Sequence, residues 1–246
     1  MHPVLAATPC VAESGPRTAA LVELYTSEGC SSCPPADRWL SGLAARGYGP
    51  DRVVPLSLHV DYWDYIGWKD PYAKREFSLR QRTLSQLQRL ALVYTPQVVL
   101  QGRDFRQWGG KAFDEAVAKI NAQPARARIR LELLPGNGAA LDVAATVELA
   151  TPGAGGEPSL YLAAYQNRLE SRVTSGENRG RRLAHDYVVL EWQGPYALGP
   201  AGRLAERRTL PLLPKALPAH SGVAAFVQDR STAQVLQALM LPGCST

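Results

Sequence analysis

Glu23-Leu-Tyr-Thr-Ser-Glu-Gly-Cys30-Ser-Ser-Cys33-Pro-Pro-Ala-Asp37 is the stretch on which the reading of this chain turns. Residues 19–25 lead into it as an apolar strand, and residues 34–46 follow as a helix with Trp39, Leu40 and Leu43 on one face. Two cysteines at i and i+3 across such a strand-to-helix turn approach closely enough to bond. Cys30 falls at or just before the helix N-terminus, where unsatisfied N–H groups and the macrodipole favour an anion. That placement lowers a thiol pKa, and the thiolate is the nucleophile. Cys30 is therefore expected to attack, and Cys33, deeper in the helix, to resolve the mixed disulfide. Pro34 and Pro35 suit an early helical turn, where a missing N–H costs least. Half of a zinc site is the main rival, but it needs further ligands, and the chain holds only 4 histidines and no second Cys-x-x-Cys. The reading calls for no metal and no cofactor.

Outward from this stretch, residues 52–60 read as a second strand and residues 74–92 as a long helix carrying Phe77, Leu84, Leu87, Leu90 and Ala91 at helical spacing. Thr95-Pro96 leads into a short strand, Gln97 to Leu100; Gly102 turns into a partner strand near Phe105; residues 111–121 are helical. The order β-α-β-α-β-β-α suits a small sheet with helices on both faces. Beyond residue 124 the character changes to strands at 127–134, 140–150, 159–167, 184–193, 203–210 and 222–228, separated by Gly/Pro-rich turns, and then a final helix at 232–240 with Ser231 as N-cap. The expectation is an α/β unit at 17–123 and a β-rich, sandwich-like unit at 124–246 with a C-terminal helix. Only Ala122-Gln123-Pro124 separates them, so the two should pack firmly.

The chain has 246 residues, 46% of them apolar and 20% charged, enough for a substantial core. Its net charge of +5 comes from scattered arginines with no accompanying nucleic-acid motif, so nucleic acid is not an expected partner. No apolar run is long enough to span a membrane. Val4-Leu5-Ala6-Ala7 has the small-residue character of the end of a signal peptide, which suggests a trimmed leader and a periplasmic or secreted protein. Cys10 and Cys244 lie near opposite termini, which are often close in space. They either bridge, as an oxidising compartment allows, or remain two unpaired thiols.

Together these features resemble the thioredoxin superfamily. The opening stretch, with His59-Val-Asp-Tyr-Trp-Asp-Tyr65, Tyr94-Thr-Pro96-Gln, Glu177-Asn-Arg-Gly180 and His185-Asp186, resembles more narrowly an uncharacterised family of bacterial secreted or periplasmic thioredoxin-like proteins, over residues 20 to about 230. The resemblance implies a thioredoxin-like first unit and a cis-proline at Pro96 whose backbone pairs with an extended substrate. It implies no substrate.

Candidate roles follow. Cys30, Cys33 and Pro96 are the expected catalytic residues. The buried acid usual in thioredoxin would fall on Leu24; Glu23, one residue earlier, is either a proton acceptor or the partner of a basic neighbour. His59 and Asp61 lie at the carboxyl end of their strand, where ligands of parallel sheets gather. With Trp63, Thr95 and the neighbouring aromatics they are expected to line a groove, the alternatives for His59 being core or metal ligand. His185-Asp186 and the loop before it are expected to brace against a neighbouring strand or domain, the alternative being acid–base work by the His–Asp pair. The functional reading is a thiol–disulfide oxidoreductase acting on protein thiols or disulfides. Two others stay open: Cu(I) handling by the two thiols with His59, and a partner-binding module with a non-catalytic fold.

Overall fold

The computed structural model describes residues 10–134, 140–153, 155–214, 216 and 218–244. The leader-like stretch Val4–Ala7 lies outside the described residues. Strand β1 is Cys10–Glu13, β2 Ala20–Thr26, α1 Pro34–Ser41, β3 Val53–His59, α2 Arg75–Leu87, β4 Gln97–Leu100, β5 Arg103–Asp104 and α3 Lys111–Asn121. There follow β6 (Ala127–Leu134), β7 (Ala140–Leu149), β8 (Pro158–Gln166), β9 (Leu169–Arg172), β10 (Arg182–His185), β11 (Val188–Ala197), β12 (Arg203–Pro211), β13 (Ser221–Asp229) and β14 (Val235–Pro242). The architecture is mixed α/β and mostly sheet. No helix among the described residues is long and apolar enough to cross a membrane.

An eight-stranded sheet in the order β14-β13-β8-β11-β3-β2-β4-β5 forms the spine. Strand β3 runs parallel to β2 on one side and to β11 on the other, so residues 17–123 and 124–246 meet in the middle of one sheet. Both central strands are buried along their whole length because both faces are covered. On one face Ala20, Val22 and Leu24 pack against Ala36 and Leu40 of α1 and Phe113 and Val117 of α3. On the other, Leu21 and Tyr25 join Phe77 and Leu84 of α2 and Tyr161 and Phe226. A four-stranded sheet, β1-β6-β7-β12, stacks on the second half of the spine over Leu160, Leu162, Val223 and Val227, a sandwich-like arrangement.

The expected helix at 232–240 is a strand instead. Val235, Ala238 and Met240 are buried in one core and Leu236, Leu239 and Leu241 in the other, a two-sided demand that a helix cannot meet in one layer. Short apolar runs do not reveal their type by periodicity alone. Ser231 caps no helix; its N–H and hydroxyl both donate to Asp229 Oδ1, in the turn between β13 and β14. Gln237 is fully buried, accepting from the Ala19 N–H and donating to the carbonyls of Gly15 and Arg17. Cys10 and Cys244 are bonded, with Cα atoms 5.9 Å apart, closing β1 onto the end of β14.

Candidate functional site

Strand β2 ends at Thr26, and the chain turns through Ser27–Ser32 before entering α1. The turn is held by Gly29 N–H to Ser27 Oγ (3.0 Å), Cys30 N–H to Ser27 O (3.1 Å) and Cys33 N–H to Cys30 O (3.2 Å). Cys33 is the N-cap of α1, Pro34 and Pro35 open the helix, and the Cys33 carbonyl accepts from the amides of Ala36 and Asp37. Cys30 and Cys33 are joined as a disulfide with Cα atoms 5.5 Å apart. Both cysteines are buried, Cys30 at 1% exposure, while Ser31 and Ser32 between them are exposed. Cys30 Sγ lies 3.3 Å from Ser32 Oγ.

Behind this turn lies a buried group of titratable side chains that sequence reasoning did not assemble. Asp37 follows Cys33 by one turn on the buried side of α1. His185, from β10, places Nε2 3.1 Å from Glu28 Oε1 and Nδ1 4.0 Å from Asp37 Oδ2. Its ring meets that of His59 at right angles, centroids 4.9 Å apart. His59 Nδ1 in turn pairs with Asp70 Oδ2 at 2.7 Å, and that same carboxylate oxygen accepts the Glu28 N–H at 2.8 Å. The Trp68 indole donates to Glu28 Oε2.

The environment drives these groups apart electrostatically. Burial pushes Asp37 above the usual carboxylate range, against the pull of His185 and His59. Burial also opposes charge on His59 and Asp70, but their mutual attraction and hydrogen bond prevail, raising His59 and lowering Asp70. Asp37 Oδ1, His59 Nε2 and His185 Nδ1 are buried with no hydrogen-bond partner. Orphaned polar atoms are costly in a core, and three of them lie within this one group. Among the described residues no group of three or more His, Cys, Asp and Glu is arranged to hold a metal ion.

The other expected site residues separate. Glu23 is fully buried but on the face of β2 opposite α1, where Arg80 of α2 grips it through Nε to Oε1 (2.5 Å) and a terminal nitrogen to Oε2 (3.0 Å). The alternation of β2 turns it away from the cysteines, and of its two expected roles the structure has the ion pair with a basic neighbour. His59 is fully buried and lines no groove, because Asp70 holds it inside. Asp61 is committed to α2: it accepts from the Ser78 hydroxyl, and its N–H donates back to Ser78 Oγ. Trp63 does border the turn; its Nε1 donates to Thr95 Oγ1 at 2.7 Å, and its Cβ would lie 3.2 Å from any Cβ added at Gly29. The Thr95–Pro96 bond is cis. The register Tyr25↔Gln97 brings Pro96 beside the carboxyl end of β2. Tyr65, in the 3₁₀ turn Asp61–Ile66, is 82% exposed.

The loop Ser175–Gly180, from the second half, closes over the turn. Asn178 is fully buried and donates through Nδ2 to the carbonyls of Glu28 (2.8 Å) and Cys30 (2.9 Å). The Ser31 N–H donates to Glu177 Oε2 at 2.9 Å. Ser175 donates to the Gly67 carbonyl at 2.5 Å. Gly176, at φ +72°, lets Ile66 and Trp68 approach to 3.1 and 3.4 Å of where a Cβ would sit. Asp186, by contrast, faces away and accepts the Arg168 N–H.

Two solved structures resemble the whole chain. Protein AGR_C_4864 from Agrobacterium tumefaciens is 25% identical, with a TM-score of 0.67 over 95% of this chain and 98% of its own. HBP35 of Porphyromonas gingivalis is 17% identical, with a TM-score of 0.71 over 93% of this chain and 76% of its own, a likeness of fold alone. No curated protein matches the chain. The family described as "Protein of unknown function (DUF1223)" matches residues 21–228, spanning the cysteine turn, the buried polar group and the clamping loop, and this chain belongs to that family.

Proposed function

We propose that the chain is a thiol–disulfide oxidoreductase of thioredoxin-like architecture, working on protein thiols or disulfides outside the cytoplasm. The observation that carries the reading is the Cys30–Cys33 pair at a strand-to-helix turn, backed by buried acids and histidines that include unpartnered atoms. A four-residue disulfide loop contributes little as a staple, since loop-entropy stabilisation grows with loop size. A pair backed by proton-exchanging groups is what thiol chemistry needs: a thiol must lose its proton to attack, and a leaving thiolate must regain one. The β-α-β-α-β-β-α order from β2 to α3 supports the architectural part.

In this reading Cys30 attacks and Cys33 resolves. Asp37, one turn after Cys33 and held by burial above the usual carboxylate range, is the group that takes the Cys33 proton and returns it. Asp37 therefore stands where Glu23 was expected. Trp63, Thr95 and Pro96 form the rim beside the turn, and Tyr65 offers exposed aromatic surface to a polypeptide. The Cys10–Cys244 bond supports an oxidising compartment, where such a bond persists.

Insulin reduction by the full chain with dithiothreitol is the test. The native chain should accelerate precipitation of the insulin B chain, and Cys30→Ser should abolish the effect. Cys33→Ser should trap mixed disulfides through Cys30. Equal trapping by Cys30→Ser, or no acceleration by the native chain, would sink the proposal.

A further inference from the structure

We propose that Glu177 holds the Cys30–Cys33 couple on the reducing side, making the dithiol form of this chain a reductant of protein disulfides. The inference rests on the oxidoreductase reading of the same site and adds the direction of electron flow. Its basis is the loop Ser175–Gly180, which reaches the cysteine turn from the other half of the molecule. Asn178 fixes that loop to the carbonyls on either side of Gly29, and Ser175 anchors its other end at Gly67. Glu177 is thereby set on the amide of Ser31, the residue after the attacking cysteine.

Two consequences follow from that contact. The Ser31 N–H, the first amide after the attacking cysteine, is committed to a carboxylate and is not free to stabilise a Cys30 thiolate. A full negative charge also stands in the turn that must itself become negative on reduction. Hydrogen bonds from the Ser31 side chain and backbone hold Glu177 below the usual carboxylate range, so it is charged at neutral pH. The other titratable groups around the turn are Glu28 and Asp37 behind it, His185 between them, and the His59–Asp70 pair. Arg179 on the clamping loop and Arg181 just after it are exposed, their backbone N–H groups donating to the carbonyls of Gly176 and Asn178. The two histidines face acids on the buried side, whereas Glu177 meets the turn through the Ser31 amide. A like charge disfavours the thiolate and raises the thiol pKa. The disulfide carries no charge, so only the reduced form is penalised, and a couple with a destabilised reduced form is the better electron donor.

The reaction balances as follows. The Cys30 thiolate attacks one sulfur of a substrate disulfide; that S–S bond breaks, and the departing sulfur leaves as a thiolate that takes up a proton. The Cys33 thiolate then attacks Cys30 Sγ, breaking the mixed disulfide and releasing the second substrate thiol. Two electrons and two protons pass from the cysteine pair to the substrate. A separate dithiol donor protein, itself oxidised to a disulfide, restores the pair.

Glu177→Gln tests this, because it keeps an acceptor for the Ser31 amide and removes the charge. The full chain is equilibrated in glutathione buffers, oxidation of the Cys30–Cys33 pair is read by alkylation and peptide mapping, and the Cys30 pKa is followed by thiolate absorbance. The variant should show a lower Cys30 pKa and an equilibrium constant for oxidation a few-fold smaller, the size expected of an exposed charge. Added salt should narrow the gap between native chain and variant, as screening of an exposed charge demands and a merely structural role does not. Glu177→Asp should retain native behaviour. A native chain that exchanges normally but shares its pKa and equilibrium constant with Glu177→Gln overturns this inference alone. A native Cys30–Cys33 pair that no dithiol reduces overturns the oxidoreductase reading as well.

Discussion

Two sets of buried charges sit on opposite faces of the same sheet, and they are built to different rules. The Glu23–Arg80 pair is closed. Both carboxylate oxygens are taken, Tyr25 adds a hydroxyl, Gln228 accepts from the guanidinium, and the rings of Trp192, Phe226 and Tyr161 surround it with the cation 4.6, 5.1 and 5.2 Å from their centres. The group behind the cysteines is open: carboxylates of different proton affinity stand beside two histidines, and three of its nitrogen and oxygen atoms lack partners. A saturated buried charge has one protonation state and serves structure. An unsaturated one can change state, which suits chemistry. Burial alone does not tell the two apart; the inventory of unused lone pairs and protons does.

Breaking the closed pair should have the largest effect. Arg80→Met strands the Glu23 carboxylate in the core and should cost about 3–5 kcal/mol of stability, read from urea unfolding. The double variant Arg80→Met with Glu23→Leu should recover most of that loss, since replacing a whole buried pair by apolar residues is often neutral. Failure to recover would mean that the pair itself, and not the stranded charge, supports the fold.

The open group should respond the other way round. Asp37→Asn should leave the urea midpoint nearly unchanged while slowing thiol–disulfide turnover roughly a hundredfold near neutral pH, a typical effect of losing a proton-transfer group. A stability loss matching that of Arg80→Met, with turnover intact, would erase the distinction between the two faces.

A smaller effect comes from pH. The folded-state pKa of His59 is raised above its ordinary 6.5, so the native chain binds more protons than the unfolded one between those two values. This contribution is fully present below about pH 6.5 and is lost as pH rises through the folded pKa. Asp70, held below its ordinary value, contributes in the opposite sense, with stability lost only as pH falls through its lowered pKa. Urea midpoints should therefore decline above pH 6.5 in the native chain, and His59→Gln should flatten that decline. The smallest change concerns access: Asn178→Ala loosens the clamp over Cys30 and should speed reduction of the Cys30–Cys33 bond by a small thiol a few-fold, a readout that the Glu23–Arg80 face should not share.

How much of this was legible in the chain depends on whether a feature is local. The cysteine turn, the prolines that open α1 and the helical spacing of α2 and α3 are written within a few residues of themselves; α3 lies where its pattern puts it, while α1 and α2 begin as read but end at Ser41 and Leu87, short of 46 and 92, so Leu90 and Ala91 fall outside the helix. The strand at Val235–Pro242 was not legible, because its type is decided by two cores pressing on it from opposite sides. Nor was the buried polar group. Glu28 and Asp37 lie within the opening stretch, but His59, Asp70 and His185 reach it only through the folding of β3, the following loop and β10. Charged residues inside otherwise buried stretches were the available signal, and Glu23 shows its weakness: it carries the same signal and belongs to the other face.

The bond between Cys10 and Cys244 spans 234 positions, so nearly the whole described polypeptide is a covalent ring. One peptide bond cut anywhere within that ring opens it without releasing a fragment. A protease that nicks an exposed loop, such as the turn near Gly153, would leave one molecule of unchanged mass apart from the added water, able to stay assembled around its shared sheet. The second sulfur lies beyond β14, so the bond can form only once the chain has been synthesised through Cys244. Nicked molecules would be told from intact ones only after the ring is reduced.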